Sequence, residues 1–358
     1  MVKIIDVHDV RTLVEKVGIR PFLTQLIATT EDDFGQWQRF TKYPRHATHY
    51  EQGVIELMPI ANDAHYAFKY VNGHPRNPES GLLTVMATGQ LSDAVNGYPL
   101  MISEMTLLTA FRTAATSALA AKYLAKSPAR SLALIGTGAQ AEFQALAFDA
   151  QFGLDVIRYF DVDPEAMEKF ARNLEGFGIR LQACSSTREA IEGVDIITTA
   201  TASKRKTHIL EDSWIQPGVH INGIGGDCPG KTELDPATVR RAKVVIEFLD
   251  QTLLEGEIQN IGPDAVYGEL WEIVTGAKPG RVSDDEVTLF DSVGFALEDY
   301  SVLRYVYELA QKHGIGRDAD LVPETEDPKD LFVTLTRRTQ DETGRSSDER
   351  AGAQEALV

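Results

Sequence analysis

The stretch with the clearest chemical meaning is a glycine-rich turn, GTGAQA, at residues 136–141. Apolar residues 132–135 precede it and a helical pattern follows, which predicts a strand, a tight turn and a helix N-terminus. Gly136 permits the turn, Gly138 lets backbone approach a pyrophosphate, and Ala141 lets the helix pack on the strand. The first N–H groups of the helix then attract phosphate. The turn predicts a nucleotide site, and the alternative is an ordinary β-turn-α connection.

An acid follows the turn at the spacing of dinucleotide sites. The apolar run at residues 155–160 ends in Asp161, about 20 residues beyond Ala141, where such sites bind the ribose 2′-hydroxyl. Because this carboxylate would repel a 2′-phosphate, we expect NAD rather than its phosphorylated form. Arg158 is close in sequence, but as a strand residue three positions earlier it should lie away from the end of the loop.

Two cations in apolar surroundings are candidates for binding a carboxylate. Lys69 lies in a predicted strand among alanine, valine and aromatic residues, where an ammonium is expected to meet a partner or a ligand. Arg112 lies in an alanine-rich helix, and its planar guanidinium suits a carboxylate. Glu56 and Met58 share one face of the preceding strand. The alternatives are a lysine on the solvent face of an edge strand and a surface arginine with a buried stem.

Polar segments also follow two later strands. Small polar residues occupy positions 199–202, and residues 224–233 form a glycine-rich loop that carries Asp227. Ligands in open α/β sheets bind at the carboxyl ends of strands, so we expect Asp227 to reach a ligand. The alternative is that Asp227 caps a helix that begins near Leu234.

The order of the apolar segments predicts an α/β chain. From residue 131, predicted strands alternate with predicted helices. The strands are at 131–135, 155–160, 179–183, 195–200, 220–225 and 243–248, and the helices are at 139–150, 164–175 and 186–192. Earlier, residues 53–59 and 66–71 read as strands, 82–103 as a hairpin around Asn96 and Gly97, and 106–126 as a helix, with another at 295–313. We expect a Rossmann-type doubly wound NAD-binding domain at 128–292 and an α+β domain formed by 1–127 with 293–336. Residues 337–358 should form a disordered tail.

Composition narrows the classes of partner. A formal net charge of -18 disfavours nucleic acid, because binding a polyanion depends on cationic side chains, whereas small cationic substrates remain acceptable. No apolar run approaches the roughly 18 residues of a membrane span, so we expect a cytoplasmic protein without a membrane partner. The two cysteines, Cys184 and Cys228, favour a reducing compartment. His46 and His49 have no third ligand at a recognisable spacing, so we expect no metal.

Several longer segments resemble the ornithine cyclodeaminase and mu-crystallin family, most closely its bacterial ornithine-cyclising branch. The resemblance extends from the N-terminus to about residue 335 and includes Arg45. It rests on GVIELMP at 53–59, FKYVNGHP at 68–75, FRTAATS at 111–117, GTGAQ at 136–140, GGDCPGKTEL at 225–234 and FDSVG at 290–294. It implies a homodimer that pairs its N-terminal sheets, tightly held NAD, and redox-neutral conversion of L-ornithine to L-proline and ammonia by an ammonia-lyase.

The resemblance also implies roles for individual residues. The expected substrate residues are Arg45, Lys69 and Arg112 for the carboxylate, Glu56 and Asp227 for the amines, and Met58 and Val293 in the pocket. The expected cofactor residues are Thr84, Arg112, Gly136, Gly138, Ala139, Gln140, Asp161, Thr201, Ile224, Gly225, Gly226, Lys231 and Ser292.

The residue types agree with this reaction. A hydride can leave the α-carbon for NAD only when the α-amine is neutral, because its lone pair forms the iminium. Asp227 is the candidate base that takes the proton, a role typically worth about 10²- to 10⁴-fold. The δ-amine would then attack the iminium carbon, ammonia would leave, and the cyclic imine would take the hydride back.

Three other activities remain open on sequence alone. A lysine-cyclising enzyme differs by one methylene of substrate, a discrimination of roughly 1 to 3 kcal/mol. An amino-acid dehydrogenase or ketimine reductase would perform a single hydride step, and would have no use for Glu56 and Asp227 as a pair of amine ligands. A non-catalytic nucleotide-dependent binding protein, as in the crystallin branch, would share the fold but would not need a base beside the nicotinamide.

Overall fold

The structure, a computed structural model, describes residues 1–201, 208–226 and 228–336, and within these the strands form two eight-stranded sheets. The predicted tail at 337–358 lies outside the described residues. The first part of the chain contains β1 (Val2–Ile5), α1 (Val7–Val17), α2 (Ile19–Gly35), β2 (Thr41–Lys42), β3 (His46–Tyr50), β4 (Gly53–Ala61), β5 (His65–Gly73), β6 (Val85–Asp93), β7 (Pro99–Glu104) and α3 (Thr106–Leu124).

The second part of the chain alternates strands and helices, as the sequence predicted. It contains β8 (Ser131–Ile135), α4 (Ala141–Phe152), β9 (Val156–Phe160), α5 (Pro164–Asn173), β10 (Leu181–Ala183), α6 (Thr187–Ile191), β11 (Ile196–Thr199), β12 (His220–Gly223), α7 (Pro236–Arg241), β13 (Lys243–Ile246), α8 (Leu249–Thr252), β14 (Val266–Glu269), α9 (Leu270–Val274) and β15 (Thr288–Asp291). The chain then forms α10 (Ala296–His313), β16 (Arg317–Ala319) and α11 (Val333–Thr336).

The first sheet has the order β16-β1-β7-β6-β5-β4-β2, with β3 paired to β4. Its pairs are antiparallel except for β1 with β7. Alternation along β5 buries Ala67, Lys69 and Val71 on the face that packs against α10, and exposes Tyr66 and Tyr70 on the other face. The predicted hairpin is confirmed, and β6 and β7 are joined by a turn that includes Gly97, which has a φ of 79°.

The second sheet has the order β10-β9-β8-β11-β12-β15-β13-β14, and every pair in it is parallel. This confirms the Rossmann-type doubly wound fold. The strand β15 was not predicted, yet it lies between β12 and β13. Its four residues are fully buried and end in Asp291, so the run was too short and too polar at its end to be recognised as a strand.

The alanine-rich helix α3 joins the two sheets. Its small residues, among them Ala114, Ala118 and Ala121, are fully buried, and they let α2, α4 and α10 pack closely around it. We propose that residues 1–127 with 293–336 and residues 128–292 are the two domains, because each contains one whole sheet. Among the described residues, no helix combines the length and the apolar character needed to cross a bilayer.

Candidate functional site

The glycine-rich turn lies at the carboxyl end of β8, directly before α4. Gly136 has a φ of 98°, and a Cβ built there would come within 2.6 Å of the Ala200 carbonyl oxygen, so only glycine fits without a backbone shift. A Cβ at Gly138 would have no heavy atom of the described residues within 4 Å, which leaves open space over that residue among them. The two glycines therefore differ in function: one closes the turn against the neighbouring loop and the other leaves room for a ligand.

Asp161 follows β9 and is bound to this turn. One of its carboxylate oxygens accepts hydrogen bonds from the Thr137 backbone N–H (2.6 Å) and hydroxyl (3.2 Å), and the other accepts from the Asp163 N–H (3.0 Å). Arg158 donates instead to the carbonyl of Glu192, the residue that follows α6, at 2.6 Å. An open glycine backbone, a helix N-terminus and an acid beside the same turn fit the pyrophosphate and ribose of NAD.

Lys69 is buried on an interior strand, so the edge-strand alternative is wrong. Its side chain is 1% exposed on β5, which lies between β4 and β6, and its ammonium donates to Asp299 Oδ1 at 2.9 Å. Met58 lies directly across from it in the register of β4 and β5. Burial, followed by the neighbouring guanidinium of Arg112, lowers the pKa of Lys69 to about 8 despite the attraction of Asp299.

Arg112 is also buried, so the surface-arginine alternative is wrong. Its Nη1 donates to Glu298 Oε2 at 2.5 Å, and its Nε lies 3.0 Å from Asp299 Oδ1, the same oxygen that Lys69 contacts. Burial opposes the charge, but Asp299 and Glu298 together raise the pKa of Arg112 above its ordinary value. Asp299 therefore holds the two predicted carboxylate-binding cations next to each other.

Arg45 lies in the link between β2 and β3 and reaches the same place. Its Nη1 lies 3.2 Å from Glu56 and 3.4 Å from Glu255, and its Nη2 donates to the carbonyls of Val293 (2.6 Å) and Gly294 (2.8 Å). Gly294 also lies against the Arg112 guanidinium, because a Cβ there would come within 2.5 Å of Arg112 Nη1. The three predicted cations thus converge around the segment that leads from β15 into α10.

The structure adds four acids that the sequence reasoning missed. Glu298 and Asp299 begin α10, Glu255 pairs with Arg45, and Glu247 accepts from Ser292 Oγ (2.6 Å) and from the N–H groups of Val293 (3.2 Å) and Gly294 (3.0 Å). Burial raises the pKa of Glu298 to about 8, although Arg112 opposes the shift. A usable signal was present, since Glu298 and Asp299 interrupt an otherwise apolar helix start.

Four of the remaining predicted cofactor residues lie in the loops that follow β11 and β12. Thr201 donates its N–H to Glu233 (2.9 Å), and its hydroxyl donates to the same oxygen. Ile224 N–H donates to Thr199 (3.1 Å), Gly226 accepts from Gly256 (2.6 Å), and Gly225 packs against Glu233. These three loop residues form part of the carboxyl edge of the second sheet.

The other predicted residues contact their own neighbourhood, lie outside the two loops, or lie outside the described residues. Gln140 Nε2 donates to the Ala110 carbonyl at 2.9 Å, Ala139 precedes it in the glycine-rich turn, and Lys231 N–H donates to Cys228 at 3.2 Å. Thr84 is exposed just before β6. Asp227 lies outside the described residues, and Asp235 is the residue that caps α7, by accepting from Ala237.

Comparisons with known proteins identify the family of this chain. The model of the ornithine cyclodeaminase/mu-crystallin family matches residues 7–314. An ornithine cyclodeaminase of Agrobacterium fabrum (strain C58) is 54% identical over 338 residues, covering 94% of this chain and 96% of that protein.

Solved structures with the same fold include two informative relatives. A lysine cyclodeaminase, described for its recognition of L-lysine, L-ornithine and L-2,4-diaminobutyric acid, has a TM-score of 0.86 and 31% identity, covering 92% of this chain and 98% of that chain. An archaeal alanine dehydrogenase dimer with bound NAD has a TM-score of 0.83 and 32% identity, covering 90% of this chain and 99% of that chain. The chain belongs to the ornithine cyclodeaminase/mu-crystallin family.

Proposed function

We propose that this chain converts L-ornithine to L-proline and ammonia with NAD as its cofactor. The observation that carries the proposal is the convergence of Arg45, Lys69 and Arg112, all buried or nearly so, around the segment between β15 and α10. Three cations in one place are suited to an amino-acid carboxylate, and the acids between them are suited to ammonium groups. The similarity to ornithine cyclodeaminases over almost the whole chain supports the same activity.

NAD would lie along the carboxyl edge of the second sheet. The pyrophosphate would bind to the glycine-rich turn and the start of α4, at Gly136, Gly138 and Ala139 with Gln140 beside them. The adenosine ribose would bind to Asp161. Toward the substrate, the residues proposed to contact NAD are Thr84, Arg112, Thr201, Ile224, Gly225, Gly226, Lys231 and Ser292. When bound, NAD supplies a temporary acceptor for the hydride of the α-carbon and returns it at the end of the cycle.

The substrate charges match the proposed residues. Arg45, Lys69 and Arg112 would bind the carboxylate, and the last two are already held in place by Asp299. Glu56 would bind an amine, and its position 3.2 Å from Arg45 sets its carboxylate beside the carboxylate-binding side chains. Val293 and the buried Met58 would contact the aliphatic part of the substrate.

Proton transfer falls to Asp227 in this proposal. The α-amine must be neutral before its lone pair can form the iminium, so a base must accept its proton. The δ-amine then attacks the iminium carbon and ammonia leaves, and the same carboxyl group would return a proton to the departing amine. Asp227 follows Gly226, whose carbonyl is fixed by the Gly256 N–H at 2.6 Å, so the residue before it is anchored.

We further propose that the chain forms a homodimer through the outer face of the first sheet. This face carries large apolar side chains with substantial exposure, among them Leu57 (38%), Tyr66 (40%), Tyr70 (36%) and Met86 (43%). A contiguous apolar surface of this kind is typical of an interaction site. Sedimentation equilibrium should give a dimer for the unmodified chain and a monomer for Tyr70→Asp, and a monomeric unmodified chain would contradict the proposal.

Replacing Lys69 by methionine tests the assignment of the carboxylate site. We expect Lys69→Met to raise KM for ornithine by about tenfold or more, because it loses a charge-assisted hydrogen bond, while NAD affinity changes little. The matched control is Lys243→Met, which removes a paired but only partly buried lysine at the amino end of β13. An unchanged KM in Lys69→Met, or an equal rise in both variants, would contradict the assignment.

The second candidate is cyclisation of lysine. It is favoured by the similarity to a lysine cyclodeaminase described for its recognition of both substrates. One additional methylene changes discrimination by only roughly 1 to 3 kcal/mol, so both substrates should be assayed side by side. A kcat/KM for lysine above that for ornithine would replace the first candidate by the second.

A further inference from the structure

Three buried carboxylates lie in series beneath the loops at the carboxyl edge of the second sheet. Asp291 ends β15, Glu257 follows α8, and Glu233 ends the loop after β12. Their exposed fractions are 0%, 2% and 1%. We call Asp291, Glu257 and Glu233 the carboxylate ladder.

Each member of the ladder binds backbone of the next loop. Asp291 accepts from the N–H groups of Glu257 (2.8 Å) and Ile258 (3.0 Å), one to each oxygen. Glu257 likewise accepts from Glu233 (2.8 Å) and Leu234 (3.0 Å). Glu233 accepts through a single oxygen from the Thr201 N–H and hydroxyl. The ladder therefore connects the end of β15 to the loop that follows β11.

Glycine backbone packs directly on the ladder. A Cβ built at Gly225 would overlap the Glu233 carboxylate, and one at Gly226 would come within 3.2 Å of Glu257 Oε1. A Cβ at Gly256 would come within 2.8 Å of both Asp291 oxygens. The carboxylates consequently determine how close to the sheet the loop with Gly225 and Gly226 lies.

Stability alone is a poor reason for this arrangement. Burial raises the pKa of Asp291 to about 7 and that of Glu257 to about 8, and it raises the pKa of Glu233 as well. Buried acids are costly to keep, and apolar residues of similar size often stabilise a fold at least as well. The acids instead position the loops, because each of them holds backbone N–H groups at a defined distance from the sheet.

We propose that the carboxylate ladder consists of positioning residues for the nicotinamide end of the NAD site. It acts through Thr201, Gly225 and Gly226, which are proposed to contact the cofactor, and the inference rests on the proposed function in that respect. Asp291 is not itself a proposed ligand contact, although it precedes Ser292, and it sets the placement of Thr201 through two intervening carboxylates, Glu257 and Glu233.

The geometry predicts which variants should be tolerated. Asp291 uses both oxygens as acceptors, so Asp291→Asn would set an amide donor against a backbone N–H group. Glu233 uses one oxygen for both hydrogen bonds with Thr201, so Glu233→Gln can keep them, whereas Glu233→Ala cannot. The control at the amino end of the sheet is Asp195→Asn. One oxygen of Asp195 accepts from the N–H groups of Arg130 and Ser131, and the other pairs with Lys126 at 2.7 Å, so this variant loses an ion pair far from the proposed cofactor loops.

The test is NAD affinity, measured by calorimetry on the full chain after removal of bound nucleotide, at a temperature where each variant is folded. We expect Asp291→Asn and Glu233→Ala to weaken NAD binding by about tenfold or more, and Glu233→Gln to stay within about threefold. Asp195→Asn should lower Tm without changing NAD affinity. The double variant Asp291→Asn with Glu233→Ala should raise the Kd for NAD by less than the product of the two single fold-changes, because both substitutions act through the same series of contacts.

An unchanged NAD affinity in Asp291→Asn would overturn the inference. So would equal losses of NAD affinity in Asp291→Asn and Asp195→Asn. If Asp291→Asn does not fold, the contrast between Glu233→Ala and Glu233→Gln decides it, and equal affinities in those two variants would overturn it. A chain that binds NAD with these contrasts but does not convert ornithine would leave the ladder standing and refute the proposed reaction.

Discussion

Replacing Asp299 by alanine would remove the carboxylate that Lys69 and Arg112 share. Its Oδ1 lies 2.9 Å from the Lys69 ammonium and 3.0 Å from Arg112 Nε. Lys69 is 1% exposed, and both burial and the charge of Arg112 lower its pKa, so Asp299 is the main group that keeps it protonated. We expect Asp299→Ala to leave a buried lysine that is largely neutral at pH 7.5.

The size of the effect follows from the hydrogen bond that is lost. A hydrogen bond to a charged group contributes about 1.5 to 3 kcal/mol, and 1.36 kcal/mol corresponds to one pKa unit, so the pKa of Lys69 should fall by roughly one to two units. Starting from about 8, the pKa would reach roughly 6 to 7. The protonated fraction at pH 7.5 would drop from about three quarters to roughly a quarter or less. Because ornithine brings its own carboxylate, the loss should appear in KM more than in kcat.

The assay is the pH dependence of kcat/KM for ornithine between about pH 6 and 9, in the unmodified chain and in Asp299→Ala. The alkaline decline should begin near pH 8 in the unmodified chain and one to two units lower in the variant. Glu298, whose pKa is also raised to about 8, contacts Arg112, so the comparison is repeated in Glu298→Gln. The same alkaline limb in both chains, or a shift that vanishes in the Glu298→Gln background, would refute the reasoning.

Three further predictions concern the base, the turn and the fold. Asp227→Asn should lower turnover by about 10² or more while NAD binding persists, and full activity would remove Asp227 from the mechanism. Gly136→Ala should weaken NAD binding by about tenfold or more in calorimetry, because its φ of 98° and the Ala200 carbonyl at 2.6 Å exclude a side chain; normal affinity would contradict this. Burial raises the pKa of Asp291 to about 7 and of Glu298 to about 8, so the folded state retains protons that the unfolded chain has lost, and stability should fall as pH rises from about 4.5 to 8. Urea titrations should show a smaller fall in the free energy of unfolding over this pH range in Glu298→Gln than in the unmodified chain. An identical fall would contradict the assigned effect of Glu298.

The sequence was informative where a pattern is local. Gly136, Gly138 and Asp161 lie within one β-α-β unit, and their spacing alone predicted the turn and the acid beside it. Lys69 and Arg112 were recognisable because a charge in apolar surroundings needs a partner. These inferences required no knowledge of distant contacts.

The partners of those charges could not be predicted in the same way. Asp299 meets Lys69 across 230 positions of sequence, and Glu298 meets Arg112 across 186. The carboxylate ladder likewise joins segments 24 and 34 positions apart through backbone N–H groups, which have no side-chain signature. Such contacts exist only after α10 packs against the first sheet and β15 enters the second, so they depend on the tertiary fold.

The most direct test of the proposed reaction is to incubate the purified chain with L-ornithine and a trace of NAD, and to follow proline, ammonia and NADH absorbance together. We predict that proline and ammonia rise one to one, far beyond the NAD supplied, without accumulation of NADH. NADH that accumulates in proportion to ammonia would contradict the cyclisation and indicate a dehydrogenase.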